Sequence, residues 1–185
     1  IHVKLDTGMH RLGFAPEDMP RLIERLKGQN AVIPRSVFSH FVGSDAQQFD
    51  AFTRKQIETF EKASMLLQEA FPYKILRHIC NSAGIERFPG AQFDMVRLGI
   101  GLYGISPIDN SIMHNVSTLK TTILQIRDVP EEDTVGYSRK GHLTRPSRIA
   151  AIPIGYADGL NRHLGNGHAY CLVNGQRAPY VGNIC

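Results

Sequence analysis

The chain has 185 residues, 42% hydrophobic and 21% charged, with a formal net charge of +4. This is an ordinary globular composition, too apolar for a disordered chain. No run approaches the ~18 uninterrupted apolar residues of a membrane-spanning helix, and the basic residues are scattered rather than interleaved with aromatics, so neither a membrane nor a nucleic acid is an expected partner.

Ile1 to Asp6 alternates like a strand rather than like a leader peptide. The absence of an initiator Met implies that residues preceded Ile1 or were removed. His2–Asp6 reads as the first strand. A helix follows within Asp18–Lys27, with Leu22, Ile23 and Leu26 on one face and Gly28 as its stop. Pro16 and Pro20 can each sit only in a first turn. Ser36–Phe41 reads as a second strand. Ser44 and Gln47 resemble a capping box, and Phe49, Phe52, Phe60, Ala63, Leu67 and Ala70 then recur at helical spacing up to Pro72. Lys74–Cys80 reads as a third strand, Asn81-Ser82-Ala83-Gly84 opens a short helical turn, and Met95–Ile100 reads as a fourth strand.

Strands alternating with helices predict a parallel sheet of right-handed βαβ units. Four such units in roughly 115 residues, about 29 each, match the economy of a TIM barrel, at about 31 per unit. The expectation is therefore an α/β segment, half of a TIM-type (β/α)8 barrel, over residues 1–117. From residue 118 the style changes. Thr118–Val129, Arg148–Ile154 and His168–Val173 read as strands without helical period. Asn174-Gly175 is a two-residue hairpin signal leading to a strand through Val181, and Cys185 falls inside an apparent further strand. Residues 118–185 are expected to be the first part of an all-β domain. Cys80, Cys171 and Cys185 form no CxxC pair, so neither a disulfide framework nor a metal site is expected, and a reducing cytoplasm fits best.

In parallel α/β folds chemistry sits at the carboxyl ends of the strands. There the sequence places Lys4 and Asp6 to Arg11, then His40, then His78 with Asn81-Ser82, then Arg97 with Gly99-Ile100-Gly101. Each has a plain alternative: a hydrogen-bonded structural histidine, an edge-strand lysine, a helix cap at Asn81-Ser82. Together, two histidines, two arginines and a lysine on inward-facing strands would be costly in a plain core. Strands three and four both end in small residues that expose amides, where barrels commonly hold a phosphate. In the β region, Gly136-Tyr137-Ser138 and Gly155-Tyr156-Ala157 each set a Tyr beside Gly in a loop. A tyrosine with an ordinary pKa of about 10 is a poor base at neutral pH; near cations it becomes a serviceable one. The plain alternative is a packing Tyr in a turn.

Lys4-Leu5-Asp6-Thr7-Gly8-Met9-His10-Arg11-Leu12-Gly13, Ser39-His40-Phe41, His78-Ile79-Cys80-Asn81-Ser82-Ala83 and Val96 to Gly104 resemble, in order, the barrel motifs of the alanine racemases. Val135 to Ser138, Pro153 to Gly159 and Gly182 to Cys185 resemble motifs of that family's β domain. The blocks span essentially the whole chain, and their combination is highly specific. The resemblance implies a head-to-tail homodimer using pyridoxal 5′-phosphate to interconvert L- and D-alanine in the cytoplasm for peptidoglycan synthesis.

It further implies that Arg97 hydrogen-bonds the cofactor's pyridine nitrogen, backed by His78. An arginine does not surrender its proton, so the ring stays a weak electron sink and side reactions are suppressed. Ser82, Gly99 and Ile100 would cradle the phosphate, with Asn81 close by. Arg11 would bind the cofactor's phenolic oxygen and the substrate carboxylate, and Lys4 matches the position that is carbamylated in family members. Tyr137 would be one of two catalytic bases, reaching the partner subunit's cofactor, with His40 beside its hydroxyl, and Tyr156 would line the site or its entrance. The second base, the lysine that holds the cofactor, would precede residue 1. A Met-Asp pair and a phosphate-binding Tyr would follow Cys185. The resemblance therefore makes these residues the second half of the cofactor-binding barrel and the first part of the β domain, and the 185 residues alone are accordingly expected to be inactive. His10 stands where a Gly is frequent in the family. Other readings are a broad-specificity amino-acid racemase or a basic amino-acid decarboxylase of the same barrel class, a single-domain cofactor carrier, or an assembly unit of a larger polypeptide. The decarboxylases typically present a carboxylate where Arg97 stands, and the carriers lack the β region.

Overall fold

The computed structural model describes residues 1–185. They divide into two compact units, Ile1–Thr118 and Leu119–Cys185.

In the first unit, β1 (His2–Lys4), β2 (Ser36–Phe38) and β3 (Leu76–His78) form a parallel sheet in chain order. His2 aligns with Ser36 and Leu76, and Lys4 with Phe38 and His78. The crossovers are helical: α1 (Met19–Lys27) joins β1 to β2, and α2 (Asp50–Glu69) joins β2 to β3. Because side chains alternate along a strand, one sheet face carries Val3, Val37 and, just outside the strands, Leu5, Ile75 and Ile79, all buried. Met19 and Leu26 of α1 and Phe60, Ala63 and Leu67 of α2 pack onto this face. Burying each large side chain contributes about 1.5–3 kcal/mol, so the helix-facing layer holds the unit together. The other face carries His2, Lys4, Ser36, Phe38 and His78.

Pro16 opens a 3-10 turn, Pro20 lies in the first turn of α1, and the Gly28 amide closes α1 by donating to Glu24 O. The capping box expected at Ser44 and Gln47 does not form. Gln47–Phe49 is a 3-10 turn, and no side chain caps α2. Ser44 is taken by long-range partners instead: its Oγ donates to Asn81 Oδ1 at 2.9 Å, and Arg87 donates to its carbonyl at 2.8 Å. Arg87 also pairs with Asp50, so the α2 start is tied to α3 (Ser82–Arg87).

The expected strand over Met95–Ile100 is not a strand. The segment runs beside β3 with two backbone bonds, Asp94 N to Arg77 O and Arg97 N to Cys80 O. Phe93 enters it at φ 50° and Ile100–Tyr103 leaves it as a 3-10 turn, so no continuous ladder develops.

The second unit is built of antiparallel pairs: β4 (Gln125–Val129) with β7 (Ser147–Ala151), β5 (Thr134–Val135) with β6 (Gly141–His142), and β8 (Tyr170–Val173) with β9 (Gln176–Pro179). The strands are shorter than the sequence suggests. Thr118 to Leu124 and His168 lie outside them, and Gly182 to Cys185 forms none. Asn174 and Gly175 both take positive φ, 48° and 79°, the requirement of the tight hairpin turn joining β8 to β9. All three cysteines are free. No helix is long and apolar enough to cross a membrane.

Candidate active site

At the carboxyl ends of the parallel strands the chain gathers Arg97, His78 and His40. Arg97 is half-buried, and its guanidinium lies over the Phe38 ring with Cζ 5.3 Å from the centroid. Nη1 donates to His78 Nδ1 at 2.5 Å and to His78 O at 3.4 Å. Nη2 donates to Ser39 O at 2.6 Å, His40 Nδ1 at 3.0 Å and Ile79 O at 3.3 Å. The Nε–H alone has no acceptor within the chain.

A guanidinium only donates, so both imidazoles must present an unprotonated Nδ1 and carry their proton on Nε2. Burial, then the charges of Arg97 and His2, push His78 down to about 4. Burial, then the charges of Arg97, Lys4 and Arg11, lower His40. Both rings are therefore neutral at pH 7. The His78 ring also stacks on Phe38, with centroids 5.1 Å apart and planes 2° apart. Its neighbour Cys80 is buried, and its thiol is pushed up to about 11.

The backbone that carries His40 is clamped by Gln56, a buried glutamine of α2. Its Nε2 donates to His40 O and Thr7 Oγ1, both at 3.2 Å, and its Oε1 accepts from Val42 N at 3.1 Å. Ser39 Oγ donates to Leu5 O at 2.9 Å, joining the ends of β1 and β2. Sequence reading missed Phe38 and Gln56, and quoted Ser39 in a motif without giving it a role. Strand alternation placed Phe38 with His40 and could have found it; Gln56 sits on the buried stripe of α2, where a polar residue is itself a signal.

Beside this cluster, Asn81 Oδ1 accepts from Gly84 N at 2.9 Å and so caps α3. Ser82 Oγ accepts from Gly99 N at 3.0 Å and Gly101 N at 3.1 Å, which draws the Gly99 turn onto α3. The amides of Ser82 and Ile100 make no hydrogen bond within the chain.

Lys4 is half-buried on β1, and Arg11 lies exposed on the loop that follows. That loop closes on itself: Phe14 N donates to Lys4 O at 2.9 Å, and Asp6 N to Phe14 O at 2.8 Å. Asp6 accepts from the amides of His10 and Gly8, both at 3.0 Å, and these bonds, the His10 amide first, with the nearby His10 charge hold its carboxyl below the usual range. His10 takes φ 53°, the left-handed region that favours glycine. Its departure to His is supported by Nδ1 lying 3.4 Å from Asp6 Oδ2.

Tyr137 and Tyr156 belong to the second unit. Tyr137 stands 74% exposed on the loop between β5 and β6, after Gly136 at φ 79° and before Ser138 at φ 59°. Tyr156 is 57% exposed and opens a 3-10 turn in which Asp158 accepts from Gly155 N at 2.9 Å. Arg162 lies over its ring at 5.5 Å.

Parallel βαβ units with a guanidinium, two neutral imidazoles and free amides at their carboxyl ends, followed by an antiparallel β region, are the layout of part of an α/β barrel with an appended β domain. The chain belongs to the alanine racemase family: residues 1–107 match its N-terminal domain and residues 116–185 its C-terminal domain. It is 42% identical to alanine racemase 2 of Caldanaerobacter subterraneus, over all of this chain and 48% of that protein. Among solved structures, the biosynthetic alanine racemase of Pseudomonas aeruginosa superposes with a TM-score of 0.83 at 33% identity, over 100% of this chain and 51% of that one. The alanine racemase of Bartonella henselae with covalently bound pyridoxal phosphate superposes at 0.77 and 29% identity, over 99% of this chain and 50% of that one. The chain spans about half the length of the curated relatives it matches.

Proposed function

We propose that these residues form the central part of a pyridoxal-phosphate-dependent alanine racemase, interconverting L- and D-alanine as a homodimer. The observation that carries this reading is Arg97: five acceptors fix its guanidinium and leave only the Nε–H unpartnered. That donor fits a pyridine nitrogen. The unbonded amides of Ser82 and Ile100, with Gly99 and the Ser82 hydroxyl beside them, fit the phosphate, and Asn81 shapes this cradle by capping α3. When bound, pyridoxal phosphate withdraws electrons from the substrate Cα and so acidifies its hydrogen.

The protein's own residues do the rest. Arg97 would hold the ring nitrogen through its free Nε–H without giving up its proton, which would leave that nitrogen without a positive charge. This limits the negative charge drawn from the substrate and favours simple proton return over side reactions. Arg11 orients the substrate carboxylate; Lys4, carbamylated, would hold Arg11 through a charge-assisted hydrogen bond. Tyr137 takes the proton from one face of Cα. In the homodimer Tyr137 would act at the partner subunit's cofactor; His40, whose Nδ1 accepts from Arg97, would offer its Nε2–H to the oxygen of the partner subunit's Tyr137, and donation to a charged oxygen favours it. Tyr156 would line the substrate site or its entrance. The second base is a lysine outside residues 1–185.

Tyr137→Phe in the full-length protein tests this. Loss of a positioned proton-transfer group costs about 10²–10⁴-fold. Cofactor binding should persist, since no cofactor contact is assigned to Tyr137. Deuterium wash-in at Cα from heavy water, followed by NMR, should nearly vanish for L-alanine and partly survive for D-alanine. Equal losses for the two enantiomers would reject the one-face role, and wild-type racemisation would reject Tyr137 as a base.

A further inference from the structure

Behind His78 lies a polar residue that the racemase reading does not use. Ser36, the first residue of β2, is 1% exposed, and His78 is 4% exposed. Ser36 Oγ lies 3.3 Å from His78 Nε2 and 2.6 Å from His2 Nδ1 on β1. The register explains the meeting. His2 and Ser36 are paired across β1 and β2, and His78 is two residues along from the Ser36 partner on β3, on the same sheet face.

Donor and acceptor counting fixes the sense of this chain of contacts. Arg97 can only donate, so His78 Nδ1 accepts and the His78 proton resides on Nε2. Ser36 Oγ must then accept from Nε2–H. Its own hydroxyl proton is left for the second neighbour, His2 Nδ1. The order is Arg97 to His78 to Ser36 to His2, each group donating to the next. A buried imidazole N–H without an acceptor costs about what a lost hydrogen bond costs. Without Ser36 the ring would tilt away from Phe38 or admit water, and either movement would displace the Nδ1 that holds Arg97.

We infer that Ser36 is a positioning residue: it holds the His78 ring through Nε2–H, and through His78 it holds the Arg97 guanidinium in the orientation that leaves Nε–H free. His2 completes the relay by accepting the Ser36 proton. This rests on the assignment of Arg97 to the cofactor ring only for its functional consequence; the relay itself is a property of the protein.

The test uses the full-length protein with 15N-labelled histidine, first without cofactor. Two-bond 15N–1H spectra of the wild type should show His78 as the Nε2–H tautomer, with that proton protected from solvent exchange. In Ser36→Ala the Nε2–H signal should broaden or exchange at least tenfold faster; Ser36→Thr, which keeps the hydroxyl, should restore it. With pyridoxal phosphate added, Ser36→Ala should weaken cofactor affinity about tenfold and Ser36→Thr less than twofold. A wild-type His78 protonated at Nδ1, or a Ser36→Ala variant with unchanged exchange, overturns the inference. If Ser36→Ala fails to fold, the wild-type tautomer and the Ser36→Thr spectrum still decide it. If the wild type binds no pyridoxal phosphate, the racemase reading falls while the tautomer result stands on its own.

Discussion

Arg97 cannot change its protonation state near neutral pH, so its two imidazole partners must adapt. An unfolded histidine titrates near 6.5, whereas His78 in the fold is pushed down to about 4. Between those pH values the unfolded chain binds a proton that the folded chain refuses. Stability therefore falls as pH drops from about 6.5 to about 4, by roughly 3 kcal/mol at most from His78, and this group adds no slope above or below that window. His40 acts in the same direction. Urea midpoints of the full-length protein between pH 4 and pH 7 should show this slope, and His78→Gln should flatten it; an unchanged slope would remove His78 as its source. At this scale much of the site was legible. Lys4 and His78 are chemically loaded residues on strands, and Arg11, His40 and Arg97 follow strands or run beside them, where apolar residues would serve a plain core. The ties between them were not, because His40 Nδ1 meets Arg97 across 57 positions of chain.

Elements formed where local signals went uncontested and failed where distant partners competed. The β8–β9 hairpin needs only Asn174-Gly175, and α1 needs only its prolines and Gly28. The Ser44 cap lost to Asn81 and Arg87, which no local pattern announces. The loop after β1 is the tightest of these local structures. Gly13 has φ +120°, and a Cβ there would lie 2.9 Å from Asp6 N and from the Leu5 carbonyl carbon. Gly13→Ala should cost about 2–3 kcal/mol and loosen Arg11 along with the loop. Gly90→Ala, with nothing within 4 Å of the added methyl, should stay within about 0.5 kcal/mol. Thermal and denaturant unfolding of the two variants side by side reads the difference; equal effects would mean that the loop tolerates the extra carbon by moving.

For the whole chain, three strands do not close a barrel. The outer edge of β1 has only Phe14 as a backbone partner, and β3 has only the Asp94 to Arg97 segment. Within the first unit Leu12, Leu98, Leu102 and Ile112 stand 50% or more exposed. Apolar surface on this scale, beside a short sheet with thinly covered edges, is an association surface. The 185-residue chain studied alone should therefore run above its 20.6 kDa monomer mass in light scattering, as an oligomer or aggregate. A cooperatively unfolding monomer would show that the open face is tolerated.

The sequence by itself determined the order of strands and helices, the change of style into a β region, the family, and the residue types available for chemistry. The elements and the residue types follow from periodicity and composition, which are local; the family follows from the resemblance of motif blocks along the chain. Only the tertiary structure decided that Met95 to Gly99 is no strand, that Ser44 bonds Asn81 instead of capping α2, that Ser82 draws the Gly99 turn inward, and that Arg97 spends all but one donor on the protein. Each of these is a choice among acceptors far apart in sequence. Hydrogen-bonding groups buried together must satisfy one another, and which groups are buried together is fixed only when the sheet and its helices have packed.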